Sequence, residues 1–266
     1  MVSLSQFPIS RDPRALLGPL HELTGHGGKL ESAVAGKFSR DGRDFEIPRF
    51  RFAGPDAGQE PYRLGFFAGV HGDEPAGCEA LVQFATALAA EPVRAAGYEL
   101  WLYPIVNPSG YEAGTRENRA GKDLNREFWR GSAEPEVRIL EDELRTRRFH
   151  GIVTLHADDT CEGHYGYSHG RTMEEALLQP ALCAADRVFP RDRRATIDGF
   201  AARDGVICDC FRGVLAPPPG QQPRPFDLIF ETPALAPFAL QVSEGVAALD
   251  AIIAKYRGFI SYAQDL

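Results

Sequence analysis

Four short apolar runs set the limits on how this chain can fold. They occupy residues 62–70, 98–106, 151–156 and 226–231, and each is bounded by glycine, proline or polar residues. Runs of this length, apolar at nearly every position, suit strands buried on both faces. Between and after them lie segments whose apolar residues recur at helical spacing: 74–90, a charged segment at 134–147, 172–187 with an interruption near Pro180, and 237–256. Strands alternating with helices predict an α/β fold with a mixed, largely parallel central sheet and helices on both faces. Ahead of this pattern, 30–38 and 44–52 alternate apolar and polar residues around Arg40-Asp41-Gly42-Arg43 and read as a hairpin. Residues 1–28 read as a polar lead-in ending at Gly27-Gly28. We expect one domain over 1–266, with the hairpin region 1–58 as an N-terminal extension.

Composition narrows the function. With 266 residues, 44% of them hydrophobic and 25% charged, the chain can bury a sizeable core without covalent staples. A formal net charge of −8 argues against nucleic acid or an anionic membrane as partner. No apolar run is long enough to span a bilayer. The first residues lack the basic start and apolar block of a secretory signal, so a cytoplasmic location is expected. The five cysteines are scattered and odd in number, which suits free, mostly buried thiols in a reducing compartment. Cys208-Asp209-Cys210 offers too few ligands for a thiolate metal site. The run Arg191-Asp192-Arg193-Arg194 reads as solvated surface, and His21 and His26 as solvent-facing.

In open α/β sheets, ligands sit beyond the carboxyl ends of the strands. His71, His156 and Glu231 fall at such ends. Glu74 follows His71 by three residues, with Asp73 as the expected N-cap of the next helix and Pro75 in its first turn. A catalytic zinc takes three ligands of the His and carboxylate type and keeps one position open. His71, Glu74 and His156 can supply that set. The stretch 107–128 is long, polar and rich in glycine and arginine, and a loop of this length in a compact domain is usually functional. It contains Arg116 and Arg126, planar permanent cations suited to carboxylates and oxyanions, and Asn125. Glu231 closes an apolar strand, where desolvation raises a carboxyl pKa toward that of a general base.

The combination of His71-Gly72-Asp73-Glu74, Asn107-Pro108-Ser109-Gly110, Thr115-Arg116-x-Asn118-x-x-Gly121-x-Asp123-x-Asn125-Arg126-x-Phe128, Leu155-His156 and Phe230-Glu231-Thr232 resembles the zinc carboxypeptidase superfamily. That group joins the metallocarboxypeptidases to the aspartoacylase and succinylglutamate desuccinylase branch. The resemblance spans 71–231 in the family's order. It implies a carboxypeptidase-like fold and one zinc per chain on His71, Glu74 and His156. Glu231 would be the general base and acid, and Arg116 would polarise the scissile carbonyl. Asn125 and Arg126 would clamp the terminal carboxylate of a short peptide substrate. The run from Gly114 to Arg126 is most similar to short bacterial carboxypeptidases acting on murein peptides. The acylase branch shares Asn125-Arg126, so N-acyl amino acid deacylation stands as the alternative.

Two departures bear on the substrate. Digestive-type members place a tyrosine about twenty residues before the catalytic glutamate, but 200–230 contains none. Tyr165, with Tyr167 nearby, can approach the cleft from another side and is the candidate substrate contact, although both also read as loop aromatics. After His156 the chain carries Asp158 and Asp159, which would oppose an acidic substrate tail or favour a basic one.

Overall fold

The apolar runs form the middle of the sheet in the computed structural model, which describes residues 10–24, 29–57 and 60–264. In chain order the elements are helix α1 (Pro13–Thr24), strands β1 (Leu30–Arg40), β2 (Arg43–Ala53) and β3 (Tyr62–Ala68), helix α2 (Pro75–Ala90), strand β4 (Tyr98–Tyr103), helices α3 (Pro108–Ala113) and α4 (Pro135–Arg147), and strands β5 (Gly151–Asp158) and β6 (Tyr165–Ser168). A helical run follows, made of α5 (Arg171–Met173), a π-helical turn (Glu174–Leu178) and α6 (Gln179–Ala185). Short strands β7 (Thr196–Ile197), β8 (Phe200–Arg203) and β9 (Val206–Ile207) precede β10 (Phe226–Pro233) and helix α7 (Phe238–Gln264).

Among the described residues the strands make one ten-stranded sheet in the order β1-β2-β4-β3-β5-β10-β6-β9-β8-β7. Its centre, β4-β3-β5-β10, is parallel throughout. The flanks are mainly antiparallel, so the sheet is mixed, with its parallel pairing concentrated in the middle. Strand alternation sorts the side chains. Leu64, Phe66, Leu100, Val153, Leu155, Leu228 and Phe230 pack against α1, α2, α6 and α7 on one face. Phe67, Trp101, Tyr103 and Ile152 pack against α4 on the other. Phe66 and Phe67 are fully buried, and each such side chain contributes about 1.5–3 kcal/mol. The hairpin is integral to the sheet, because β2 pairs antiparallel with β4. Its turn places Asp41 and Gly42 at φ of 51° and 71°, the primed turn that suits strand twist.

Several expectations change. The lead-in contains α1, begun by Asp12, whose carboxylate accepts from the Arg14 N–H at 2.9 Å. Gly27-Gly28, His26 and the first nine residues lie outside the described residues. Glu74, not Asp73, occupies the N-cap of α2, and its side chain makes no capping bond because it is turned elsewhere. The long loop opens with α3 instead of irregular chain. Tyr165 and Tyr167 belong to a buried strand, not a loop. Arg191 and Asp192 are buried: Arg191 is paired with Asp186 and Asp204, and Asp192 with Arg194. Only Cys78 and Cys161 are buried thiols; Cys183 and Cys208 are exposed. Among the described residues no helix is long and apolar enough to cross a membrane.

Candidate functional site

Strand β3 delivers its chain end to one point and β5 delivers His156 beside it. After Ala68 the backbone turns through Gly69, at a φ of 63°, and places His71 ahead of α2. The Gly72 backbone lies so close to the next turn that a β-carbon there would meet the Gly110 carbonyl carbon at 1.9 Å. Asn107 holds that turn, accepting from the Gly110 N–H at 2.9 Å and donating to the Val70 carbonyl at 3.4 Å. The Asn107–Gly110 motif is therefore a packing platform for the His71 turn. Arg11, just before α1, donates to the Gly72 carbonyl at 2.6 Å and fixes the same turn from its other side.

The three expected ligands meet and are buried. His71 Nδ1 and His156 Nδ1 stand 3.2 Å apart. Glu74 Oε1 is 2.5 Å from the first, and Oε2 is 2.9 Å from the second. Glu74 Oε2 also accepts from the Ala157 N–H at 3.0 Å, which pins the carboxylate. A zinc bonded to two imidazole nitrogens at about 2.0–2.1 Å with tetrahedral angles holds them about 3.3 Å apart, so the donor set fits the ion. Among the described residues no other group of three His, Cys, Asp or Glu donors lies within 4.8 Å of one another. The far nitrogen of His71 is committed: Nε2 donates to Asp123 Oδ1 at 3.1 Å, which leaves Nδ1 for the centre.

Charge explains why this cluster holds together. Burial disfavours the His71 imidazolium, but Glu74 and Asp123 outweigh it and raise its pKa to about 9. Burial likewise opposes the Glu74 charge, yet His156 and His71 bring its pKa down to about 2. Asp123 is held well below the usual carboxylate range, with burial overcome by His71 and Arg116. Its Oδ2 accepts from Arg116 Nε and Nη2 at 3.1 and 3.0 Å. Arg116 Nη1 then lies 3.8 Å from Glu74 Oε1, at the edge of the centre.

Glu231 adjoins His156 across the parallel β5–β10 pair. Its side chain makes no hydrogen bond or ion pair among the described residues. Burial, then Glu74, Asp158 and Asp198, push its pKa well above the ordinary glutamate value, against Arg116. Tyr165 faces Glu231 across the β6–β10 pair and donates to Asp158 at 3.0 Å. Asn125 is buried; it accepts from the Leu215 N–H at 2.9 Å and turns its amide nitrogen toward His156 Nε2 at 3.5 Å. Arg126 stacks on Phe211, 4.2 Å from its centroid, and has no ion pair among the described residues. All of these line one cleft of about 1190 Å³, together with His71, Glu74 and His156.

Known proteins share the fold that carries this cleft. A family model of the succinylglutamate desuccinylase/aspartoacylase catalytic domain matches residues 62–165. A candidate metallopeptidase from Shewanella denitrificans is 26% identical, with a TM-score of 0.77 over 92% of this chain and 90% of that one. A second candidate metallopeptidase, from Shewanella amazonensis, is 25% identical, with a TM-score of 0.76 over 91% of this chain and 92% of that one. The chain is similar in fold and in motif to the zinc carboxypeptidase superfamily. That superfamily unites carboxypeptidase-like enzymes with the desuccinylase and aspartoacylase branch, and the similarity supports a hydrolase. A metallo-carboxypeptidase from Burkholderia cenocepacia shares the fold at 18% identity, with a TM-score of 0.69 over 92% of this chain and 68% of that one. No curated protein matches the chain.

Within this superfamily frame, sequence reading leaves several cleft residues unnamed. Asp123 stands inside the quoted motif, but the hydrogen bonds it accepts from both His71 and Arg116 appear only in three dimensions. Arg11, Asp198 and Phe211 line the cleft from distant segments with no motif around them. Asp198 accepts from the Tyr167 hydroxyl at 2.6 Å, so two tyrosine–aspartate pairs stand side by side on the wall near Glu231. Asp158 and Asp159 do not touch the paired histidines; Asp158 serves Tyr165 and Thr160, and Asp159 is exposed.

Proposed function

We propose that this chain is a zinc-dependent metallocarboxypeptidase that hydrolyses an amide bond beside a free carboxylate in a short peptide, of which cell-wall peptides are one class. The observation that carries the reading is the meeting of His71, Glu74 and His156 in one cleft with Glu231, Arg116 and Arg126. His71, Glu74 and His156 hold the metal. A bound zinc supplies a Lewis acid that acidifies water and polarises a carbonyl. Glu231, with its raised pKa, takes the proton of the attacking water and delivers it to the leaving amine. Arg116, oriented by Asp123, stabilises negative charge developing on the carbonyl oxygen. Arg126 and Asn125 hold the substrate carboxylate so that the amide lies over the metal ligands. Tyr165 contacts the substrate from the β6 side.

The acids on the cleft wall, Asp158, Asp159 and Asp198, favour a peptide over an acyl group that carries its own carboxylate. The alternative, N-acyl amino acid deacylation, draws on the family model over 62–165. A matched panel separates them: short peptides with free and with amidated C-termini, and N-acyl amino acids, each with wild type and Arg126→Ala. The peptidase reading expects release of a C-terminal residue. It also expects a loss in Arg126→Ala that is large for free carboxylates and slight for amides. Turnover of acyl amino acids alone moves the chain to the deacylase branch, and equal losses on both peptide types sink the clamp.

A further inference from the structure

At the Cys210 edge of the cleft stands a second set of titratable groups that hydrolysis leaves unused. The β6–β10 pairing sets Glu231 beside Tyr165 and Ile229 beside Tyr167. One rung further, just past β6, His169 comes beside Asp227, with Nδ1 3.9 Å from Oδ2. Asp227 is 8% exposed, and its Oδ1 has no partner. On the opposite edge of the ring, His169 Nε2 stands 3.3 Å from Cys210 Sγ. Cys210 is half-buried, lines the same cleft as Glu231, and precedes Phe211, on which Arg126 stacks.

We propose that Cys210, His169 and Asp227 form a reactive thiol centre that exchanges with a small carboxylate-bearing disulfide, and that the resulting adduct closes the Arg126 side of the cleft. A thiol with an imidazole base within reach is the core of an activated nucleophile, and Asp227 flanks that imidazole. Burial, then Asp227 and Asp209, raise the Cys210 pKa, so the thiol needs a base within reach. Burial, then Arg224, lower the His169 pKa against Asp209, which keeps the imidazole neutral and able to accept. His169 presents Nε2 to the thiol at 3.3 Å, while Asp227, 3.9 Å from Nδ1, lies beyond hydrogen-bond reach on the other side of the ring. The other cysteines lack this surrounding. Cys78 and Cys161 are buried, Cys183 accepts from Arg191, and Cys208 donates to Glu174. Arg126, without an ion pair among the described residues, supplies the attraction for an anionic disulfide.

In the exchange, His169 Nε2 takes the Sγ proton as the sulfur attacks one sulfur of the small disulfide. That S–S bond breaks, a Cys210 mixed disulfide forms, and the departing thiolate leaves as a thiol with the proton from His169. Cys210 is oxidised and the small disulfide supplies the oxidising equivalents. The thiol's reactivity is independent of the proposed hydrolysis; the closure of the cleft rests on it.

The zinc-reconstituted full chain is treated with dithiobis(nitrobenzoate), which carries carboxylates, and with uncharged dithiodipyridine. Thiol release is timed and the adducts are mapped by mass spectrometry. The first adduct is expected on Cys210, with the anionic reagent preferred and that preference lost in Arg126→Ala. His169→Gln is expected to slow Cys210 by about 10²-fold or more, the lower reach of general-base assistance. Unchanged labelling of exposed Cys183 and Cys208 in the same variant reports that it is folded. Hydrolysis is expected to fall as Cys210 is occupied, to return with a reductant, and to be insensitive to the reagent in Cys210→Ser. Cys210 reacting no faster than Cys183 and Cys208, or indifferent to His169→Gln, overturns the thiol centre. Fast labelling with undiminished hydrolysis overturns the closure. The labelling rates decide the first part whether or not the chain hydrolyses an amide.

Discussion

Replacing Asp123 by alanine removes two supports at once. One oxygen accepts from His71 Nε2 at 3.1 Å, and the other accepts from Arg116 Nε and Nη2 at 3.1 and 3.0 Å. Loss of the acceptor behind a metal histidine typically costs about 10–100-fold in metal affinity, or about 1.4–2.7 kcal/mol. Arg116, half-exposed, then loses the partner that aims it at the carbonyl oxygen. A lost oxyanion donor costs about 10²–10³ in rate. The two losses separate experimentally. Zinc affinity is read by competition with a chromophoric chelator, and kcat/KM is read with and without saturating zinc. Asp123→Ala is expected to bind zinc at least about tenfold more weakly and to stay slow by about 10²-fold or more when saturated. Unchanged zinc affinity would refute the role assigned to the His71 contact. Full recovery of rate with added zinc would refute the role assigned to the Arg116 contact.

Glu231→Gln is expected to bind zinc as the wild type does while kcat falls by about 10²–10⁴, checked by metal titration beside a hydrolysis assay; the wild-type acid limb of the rate profile should lie above the pH expected of an ordinary glutamate, because burial and Glu74 raise its pKa. Asp227→Asn is a test of stability: burial pushes Asp227 up to about 7 against Arg224, so the wild type loses stability as pH rises from about 4 toward 7, about 4 kcal/mol in full. Urea unfolding should show the variant gaining about 2–3 kcal/mol on the wild type between about pH 5 and pH 8, and parallel pH curves would contradict it.

The middle of the sheet was readable because its strands are apolar at almost every position, and the strand ends pointed to His71, His156 and Glu231. That His71, Glu74 and His156 meet in one cleft with Arg116 and Arg126 was readable for a different reason: these residues are clustered in short motifs. What escaped depended on long-range partners or on short elements. In α1, Leu16, Leu17, Leu20 and Leu23 have helical spacing, but Gly18 and Pro19 sit among them and read as a break. The strand β6 is only four residues long, too short for alternation to be told from a loop with two tyrosines. Arg191 looks solvated until Asp186 and Asp204 come up beside it. Cys210, His169 and Asp227 lie 17 to 58 residues apart in the chain, and only the β6–β10 register aligns the last two.

Zinc stoichiometry measured together with hydrolysis tests the central claim most directly. The chain is stripped with a chelator, reconstituted, and assayed by elemental analysis and by release of the C-terminal residue from a short peptide. The account predicts one zinc per chain, activity that appears with that zinc, and loss of both in His156→Ala. A chain that takes up no metal at His71, Glu74 and His156, or that hydrolyses the peptide equally well without it, would contradict the account.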